Sequence, residues 1–181
     1  MLRARMAASL RSISAEAQAA AGDLVCERVA ALPEFVGAAR VVAYAALASE
    51  LPTAPLVARA VALGKELLWP RIGRDGRLEI APAGFEELLP SERGFLTPPA
   101  ERIAVRLRSG DLLLAPALAY TKTGARLGRG GGHYDRLIAE AKGVVTLGVA
   151  FDIQLVHEFP LELHDRRVDL VITPSGVWRT K

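Results

Sequence analysis

The sequence predicts an α/β fold. Short apolar runs, several of them rich in β-branched residues, alternate along the chain with segments of helical periodicity. A glycine-rich loop within residues 121–137 separates one of these strands from the helix that follows it. With 181 residues, of which 51% are hydrophobic, the chain is long enough for one substantial core and too short for two ordinary ones. We therefore expect one domain over residues 1–181.

The first quarter of the chain predicts two helices around a buried strand. Residues 2–32 have helical periodicity with a break just before Ser14, a plausible N-cap. The apolar run 40–47 predicts a strand, and a helix is expected to begin near Thr53. Glu50 thus lies beyond a strand's carboxyl end, where open α/β sheets bind ligands. A lone carboxylate there is more often only a charge at the entry to a helix.

The next segment predicts two strands and a long irregular connection. Residues 65–72 and 77–81 are the strands, and Trp69 in the first is expected to belong to the core. Residues 84–110 contain three prolines, Pro90, Pro98 and Pro99, and are interpreted as an irregular loop that could cover a pocket.

The stretch of residues 121–137, TKTGARLGRGGGHYDRL, is the strongest functional signal. It contains five glycines and four cations, after the predicted strand 111–120 and before a helix predicted over residues 131–142. Main-chain N–H groups and the positive end of a helix dipole meet at such a junction, which suits phosphate. The motif GxxxxGK(S/T) is absent, and a GxGxxG pattern begun at Gly128 meets His133 at its third glycine. A glycine-rich turn with solvated arginines is the alternative.

The C-terminal part predicts strands 144–151 and 168–173. His157 and His164 lie between them, but their spacing does not fit HExxH, and Pro160 would interrupt the helix that this zinc motif needs. Both histidines are therefore interpreted as surface or structural residues.

Composition excludes several classes of protein. Cys26 is the only cysteine, so no disulfide forms within the chain, and its apolar neighbours predict a core position. No apolar run is long enough to span a membrane, and we expect a cytoplasmic monomer. The net charge of +3 favours an anionic partner. Nucleic acid is disfavoured because the cations lie on a glycine loop, with no accompanying row of aromatic residues.

GARLGRGGGHYDRLI resembles the G-x-R-L-G-x-G-x-G-(Y/F)-Y-D-R signature of the 5-formyltetrahydrofolate cyclo-ligases. LRARMAASLRSISAEA, AYAALASELPTAPLV and GVAFDIQLVHEFPLELHDRRVDLVIT are similar to this family's N-terminal helix, first strand with its acidic turn, and C-terminal segment. The resemblance implies a three-layer α/β/α fold with a mixed, mostly parallel sheet, related to the folds of sugar-phosphate isomerases and CoA transferases. It also implies closure of 5-formyltetrahydrofolate to 5,10-methenyltetrahydrofolate with ATP and Mg²⁺, through an N5-iminophosphate, releasing ADP and phosphate.

The same resemblance implies the residues of the site. Those expected to contact ATP are Arg3, Arg126, Leu127, Gly128, Arg129, Gly130, Gly131, Gly132, His133 and Tyr134. Those expected to contact the folate are Ala45, Glu50, Arg129, Gly130, Gly131, Gly132 and His133. Arg126, Arg129 and Tyr134 are the expected catalytic residues, and Asp135 and Asp165 the expected ligands of magnesium. Because Asp135 follows strand 111–120 and Asp165 precedes strand 168–173, we expect these two strands to run antiparallel in a mixed sheet.

Some positions depart from the family pattern. Thr121, Gly131 and His133 replace a frequent aspartate, lysine and tyrosine, and the lysine expected three residues before Leu2 has no counterpart. Three alternatives therefore stay open: a paralogue with lost or altered activity, another enzyme class on a related fold, and a non-enzymatic anion-binding or RNA-binding module.

Overall fold

The computed structural model describes residues 2–92 and 94–180 and is built around a seven-stranded sheet. In spatial order its strands are Gly176–Arg179 (β11), Leu170–Thr173 (β10), Val145–Val149 (β9), Leu112–Leu114 (β6), Arg40–Val42 (β1), Glu66–Ile72 (β2) and Leu78–Pro82 (β3). The five inner strands are parallel, and both edge strands are antiparallel to their neighbours. The mixed, mostly parallel sheet expected from the sequence is confirmed.

Two short hairpins lie outside this sheet. Leu89–Pro90 (β4) pairs with Leu96–Thr97 (β5), and Ala119–Tyr120 (β7) pairs with Arg126–Leu127 (β8). The second hairpin carries the start of the glycine-rich loop.

The helices are Leu2–Arg11 (α1), Ala15–Ala30 (α2), Pro33–Gly37 (α3), Ala54–Ala62 (α4) and His133–Glu140 (α5). The predicted break and N-cap are confirmed, because the Ala17 amide donates to Ser14 Oγ at 3.2 Å. Helix α4 begins directly after Thr53, as predicted. Among the described residues, none of the helices is both long and apolar enough to cross a bilayer.

The alternation of side chains along β6 explains the three layers. Leu112 and Leu114 pack into the cluster that contains the buried residues of α1, α2, α3 and α4. Leu113, which points to the opposite face, packs against apolar residues of α5. Helices therefore cover both faces of the sheet, as expected. Trp69 lies in the core, where its Nε1 donates to the Ala83 carbonyl at 2.9 Å.

Two expectations about the strand at residues 111–120 are wrong. It is not continuous: β6 ends at Leu114, and Pro116, which has no N–H for a ladder, lies before the separate strand β7. Nor is it antiparallel to the strand at 168–173, because β6, β9 and β10 all run parallel. The mixed character of the sheet comes instead from its edges, and the edge strand β11 was not predicted.

Candidate functional site

A cavity of about 830 Å³ lies between the glycine-rich loop, the turn after β1 and the segment that precedes β10. Every residue predicted for the site contributes to its wall. These residues are Arg3, Ala45, Glu50, Arg126, Leu127, Gly128, Arg129, Gly130, Gly131, Gly132, His133, Tyr134, Asp135 and Asp165. Four regions that are distant in the sequence thus meet around one space.

The glycine-rich loop takes a conformation that needs glycine. Gly130 has φ of +105°, and Gly132, directly before α5, has φ of +62°. Further back, Gly124 has φ of +80°, and a Cβ there would collide with the carbonyl oxygen of Val168. The loop therefore delivers the N-terminus of α5 to the cavity, where His133 and Asp135 contribute to the wall.

Arg126 is a buried cation at the cavity. Its side chain is 3% exposed, its Nη2 donates to Asp135 Oδ1 at 2.7 Å, and its guanidinium lies 5.7 Å from the centre of the Tyr134 ring. Its Nε is buried without a hydrogen-bond partner in the described part of the chain. A buried N–H donor that lacks an acceptor is costly, and here it lies in a residue that also lines the cavity.

Arg129 and Glu50 form an ion pair across the cavity. Arg129 Nη2 lies 3.0 Å from Glu50 Oε1, while Glu50 Oε2 accepts from the Leu47 amide at 3.0 Å. The sequence placed both residues at the site but gave no sign that they pair. Arg3 also reaches the loop, with its Nε donating to the Gly128 carbonyl at 3.1 Å.

Tyr134 is a neutral phenol at the wall. Desolvation, together with the charge of Glu50, raises the pKa of its hydroxyl, whereas the nearby Arg126 lowers it less. The hydroxyl keeps its proton at neutral pH and can donate a hydrogen bond to a ligand, but it cannot act there as a phenolate base.

Asp135 and Asp165 line the same cavity through a chain crossing that the sequence did not reveal. The amide of Arg166 donates to Asp135 Oδ1 at 3.0 Å, which brings the residue after Asp165 against α5. Asp165 Oδ2 accepts from the Glu162 amide at 2.7 Å. Within residues 2–92 and 94–180 there is no cluster of three or more metal-ligating side chains, so any cation here would need ligands from a bound molecule.

Much of the remaining wall is apolar and was missed. It includes Ile72 of β2, Leu78 of β3, Leu96 of β5, and Phe95 and Phe159 from irregular segments. None belongs to a motif, and only the interpretation of residues 84–110 as a pocket-covering loop anticipated part of it. His164, interpreted from the sequence as a surface or structural residue, is exposed but lies at this wall.

The fold and the cavity define an α/β protein with an arginine- and glycine-walled binding site. The sequence profile of the 5-formyltetrahydrofolate cyclo-ligase family matches residues 1–174, and the chain belongs to that family.

Similar proteins extend over nearly the whole chain. The 5-formyltetrahydrofolate cyclo-ligase of Escherichia coli (strain K12) is 31% identical over 174 residues, covering 93% of this chain and 96% of the relative. The enzyme of the same name from Mus musculus is 28% identical over 185 residues, covering 94% and 91%. The NMR structure of Aquifex aeolicus 5,10-methenyltetrahydrofolate synthetase has a TM-score of 0.87 at 27% identity, covering 99% of this chain and 91% of that one.

Proposed function

We propose that this chain closes 5-formyltetrahydrofolate to 5,10-methenyltetrahydrofolate at the expense of ATP, with Mg²⁺. The observation that carries the proposal is that all the site residues implied by the family resemblance line one cavity. A relative that aligns over 96% of its own length carries the name of this cyclo-ligase, which supports the same reaction.

The chemistry explains why the site holds donors rather than a nucleophile. A formamide oxygen is a poor leaving group, so the N5-formyl oxygen of the substrate first attacks the terminal phosphorus of ATP and ADP leaves. N10 then attacks the activated carbon of this N5-iminophosphate, and phosphate leaves with the former formyl oxygen and takes up the proton that N10 loses. Such a reaction needs mainly positioning and neutralisation of charge.

The glycine-rich loop supplies the phosphate side in this proposal. Arg126 and Arg129 donate to phosphate oxygens, because both line the cavity and a planar guanidinium stays charged and donates in pairs. Main-chain amides of the loop and the N-terminus of α5 add uncharged donors. Arg3 contributes a further cation from α1, and Tyr134 donates as a neutral phenol.

Asp135 and Asp165 fit magnesium. Both hydrogen bonds found for Asp135 among the described residues use Oδ1, so Oδ2 is available to a cation. Two carboxylates with phosphate oxygens and water form the ligand set that Mg²⁺ prefers. When bound, the ion would neutralise charge on the phosphate oxygens.

Glu50 and Ala45 supply the folate side. Glu50 offers an acceptor for the N–H groups of the pterin ring, and the apolar wall that includes Ile72 and Phe95 suits flat ring systems.

The proposal also takes the chain as one domain that acts as a cytoplasmic monomer. Light scattering tests the oligomeric state, and cell fractionation tests the location.

The test is a spectroscopic assay. Purified protein is mixed with 5-formyltetrahydrofolate, ATP and Mg²⁺, and the methenyl chromophore is followed, with each component omitted in turn. We expect the chromophore only in the complete mixture, with one ADP released per product. Absence of the chromophore with a folded protein would overturn the proposal in favour of an altered paralogue or another enzyme class. Salt-sensitive RNA binding that ATP does not change would instead favour a binding module.

A further inference from the structure

Tyr44, two residues beyond the end of β1, is a cavity residue that no sequence motif identified. The residue is 6% exposed and packs in the main core cluster, yet it contributes to the cavity wall beside Ala45 and Glu50. Thr53 Oγ1 donates to the Tyr44 carbonyl at 2.7 Å, which holds the backbone of this turn in place. The ring is therefore fixed by packing, and its position is set by the fold.

The hydroxyl of Tyr44 has no hydrogen-bond partner among the described residues, although a buried phenol normally has one. Tyr44 Oη is not among the fully buried, unpartnered side-chain atoms of the described residues, so the oxygen keeps some accessible surface in a residue that lines the cavity. The fold thus places an unpartnered phenol at the cavity wall and leaves its hydrogen bond to a ligand.

Tyr120 shows the contrasting case. Its ring is completely buried, its hydroxyl donates to the Ala115 carbonyl, and it does not contribute to the cavity wall. For a tyrosine that lies in the core and not at the cavity, the fold therefore provides a hydrogen-bond acceptor for the hydroxyl. Tyr44 differs in that it lines the cavity and its hydroxyl has no hydrogen-bond partner among the described residues.

The environment of the Tyr44 hydroxyl, which includes the carboxylate of Glu50, determines its protonation state. Desolvation is the main reason that the pKa of Tyr44 is raised, and the charges of Tyr120, Glu50 and Tyr134 add to it. The hydroxyl is consequently a neutral donor at physiological pH, next to a carboxylate acceptor on the same turn. Such a pair complements a ligand edge that carries a carbonyl oxygen beside N–H groups.

We infer that Tyr44 is a specificity-determining residue whose hydroxyl donates to the carbonyl oxygen of the cyclic amide in the pterin ring, while Glu50 accepts from the adjacent ring N–H and amino groups. This inference rests on the proposed function and names the substrate edge that the site reads. It assigns Tyr44 to binding the folate and not to the phosphate chemistry, which lies with the loop arginines.

Tyr44→Phe tests the inference because it removes only the hydroxyl. We expect the KM for 5-formyltetrahydrofolate to rise about five- to tenfold, as for loss of one neutral hydrogen bond, with kcat and the KM for ATP within about twofold. The Tm should not fall, since the hydroxyl has no protein partner to lose. A folate KM that does not change, or equal rises in both KM values, would overturn the inference, as would a large fall in Tm with general loss of activity.

Direct binding supplies a second measurement that does not need turnover. The affinity of 5-formyltetrahydrofolate is compared with that of an analogue carrying hydrogen in place of the ring carbonyl oxygen. We expect Tyr44→Phe to weaken the natural ligand about five- to tenfold and the analogue by less than about twofold. Equal weakening of both ligands would show that the hydroxyl does not contact that oxygen.

Tyr120→Phe is the matched control. We expect it to lower the Tm, because the buried Ala115 carbonyl loses its donor, and to leave the folate KM unchanged. If the wild-type chain binds no folate, the proposed function fails as well. If the wild-type chain is active and Tyr44→Phe matches it in every parameter, only the inference about Tyr44 fails.

Discussion

Arg129 Nη2 lies 3.0 Å from Glu50 Oε1, and this ion pair joins the glycine-rich loop to the turn after β1. The arginine side chain is 51% exposed, whereas the carboxylate is 12% exposed and is also held by the Leu47 amide. An ion pair with one solvated partner contributes little stability, so a ligand can separate it at small cost. Ligands can therefore compete with this pair, and its two ends are proposed to turn toward different substrates.

Glu50→Gln separates the folate side from the phosphate side. The substitution removes the charge but preserves the shape of the side chain. The hydrogen bonds that residue 50 is proposed to accept from pterin N–H groups should therefore become weaker. We expect the KM for 5-formyltetrahydrofolate to rise about ten- to a hundredfold, the range for a hydrogen bond to a charged group. The KM for ATP should stay the same or fall, because Arg129 loses a competing partner. Steady-state kinetics with each substrate varied measures both values.

Glu101→Gln is the control for this change, because Glu101 is exposed and lies outside the cavity. It should leave both KM values unaltered. Equal increases for the two substrates in Glu50→Gln would count against a role for Glu50 on the folate side.

Arg3→Ala tests whether α1 contributes to the nucleotide site. Arg3 lines the cavity and donates to the Gly128 carbonyl, whereas the exposed Arg5 is outside the wall. We expect Arg3→Ala to raise the KM for ATP about three- to tenfold at low salt, with a smaller effect at high salt because the cation is exposed. Arg5→Ala should change neither. An identical response of the two variants would remove Arg3 from the site.

The sequence predicted most of the elements because their signals are local. The Ser14 cap, the helix after Thr53 and the core position of Trp69 all follow from residues within a few positions of each other. Likewise, the members of the glycine-rich loop were found together because they lie together in the chain. The three-layer architecture and the site itself were implied by the family resemblance rather than by these local patterns.

What the sequence did not reveal depends on contacts between distant segments. Leu112 to Tyr120 is apolar throughout, so hydrophobicity alone could not show that Pro116 ends the strand before β7. The pairs Arg126 with Asp135 and Arg129 with Glu50 need the folded loop, and Tyr44 is indistinguishable in sequence from any other core aromatic residue. The antiparallel direction predicted for strands 111–120 and 168–173 was wrong because Asp165 reaches the cavity on an irregular segment that crosses to α5, and not at the end of β10.

Asp135→Asn tests the proposed magnesium ligand. Asparagine keeps the shape but loses the charge that would hold the ion and that pairs with buried Arg126. We expect kcat to fall at least about tenfold, the Mg²⁺ concentration for half-maximal rate to rise, and the free energy of unfolding to fall by about 2 kcal/mol. Unchanged activity throughout a magnesium titration would remove Asp135 as a ligand.

A second substitution separates the stability effect from the catalytic effect of Asp135→Asn. Adding Arg126→Met removes the cation that is left without its partner, so part of the lost stability should return. Turnover should not recover, since the proposed phosphate contact is also removed. Recovery of turnover in the double variant would indicate that Asp135 serves only to neutralise Arg126.

Gly124→Ala tests how the hairpin that carries the loop is held. The position has φ of +80°, and a Cβ would collide with the Val168 carbonyl oxygen, whose residue precedes β10. Gly110 has a similar φ of +86° with no atom within 4 Å of a Cβ, so Gly110→Ala measures the backbone strain alone. We expect Gly110→Ala to lower the free energy of unfolding, measured by chemical denaturation, by about 1 kcal/mol. Gly124→Ala should lower it by at least about 2 kcal/mol more. Equal costs would show that the hairpin relaxes around the added methyl group.

Alkaline titration tests the environment of the three tyrosines, which are the only ones in the chain. Desolvation raises the pKa of Tyr44, Tyr120 and Tyr134 above the ordinary value. The folded chain then keeps protons that the unfolded chain releases above about pH 10. The contribution of these tyrosines to stability is therefore fully present below that pH and is lost as the pH rises further.

Each tyrosine should steepen the decline of unfolding free energy above pH 10 by up to about 1.4 kcal/mol per pH unit. Tyrosinate absorbance and circular dichroism, followed in one titration, are expected to change together, because ionisation accompanies unfolding. Tyr134→Phe should reduce the slope of this decline by the contribution of one tyrosine. The contributions of lysines and arginines should be the same in the wild type and the variant. Tyrosinate that forms while the circular dichroism is still native would show that the phenols at the cavity are solvated, and Tyr134 would lose its assignment as a neutral donor.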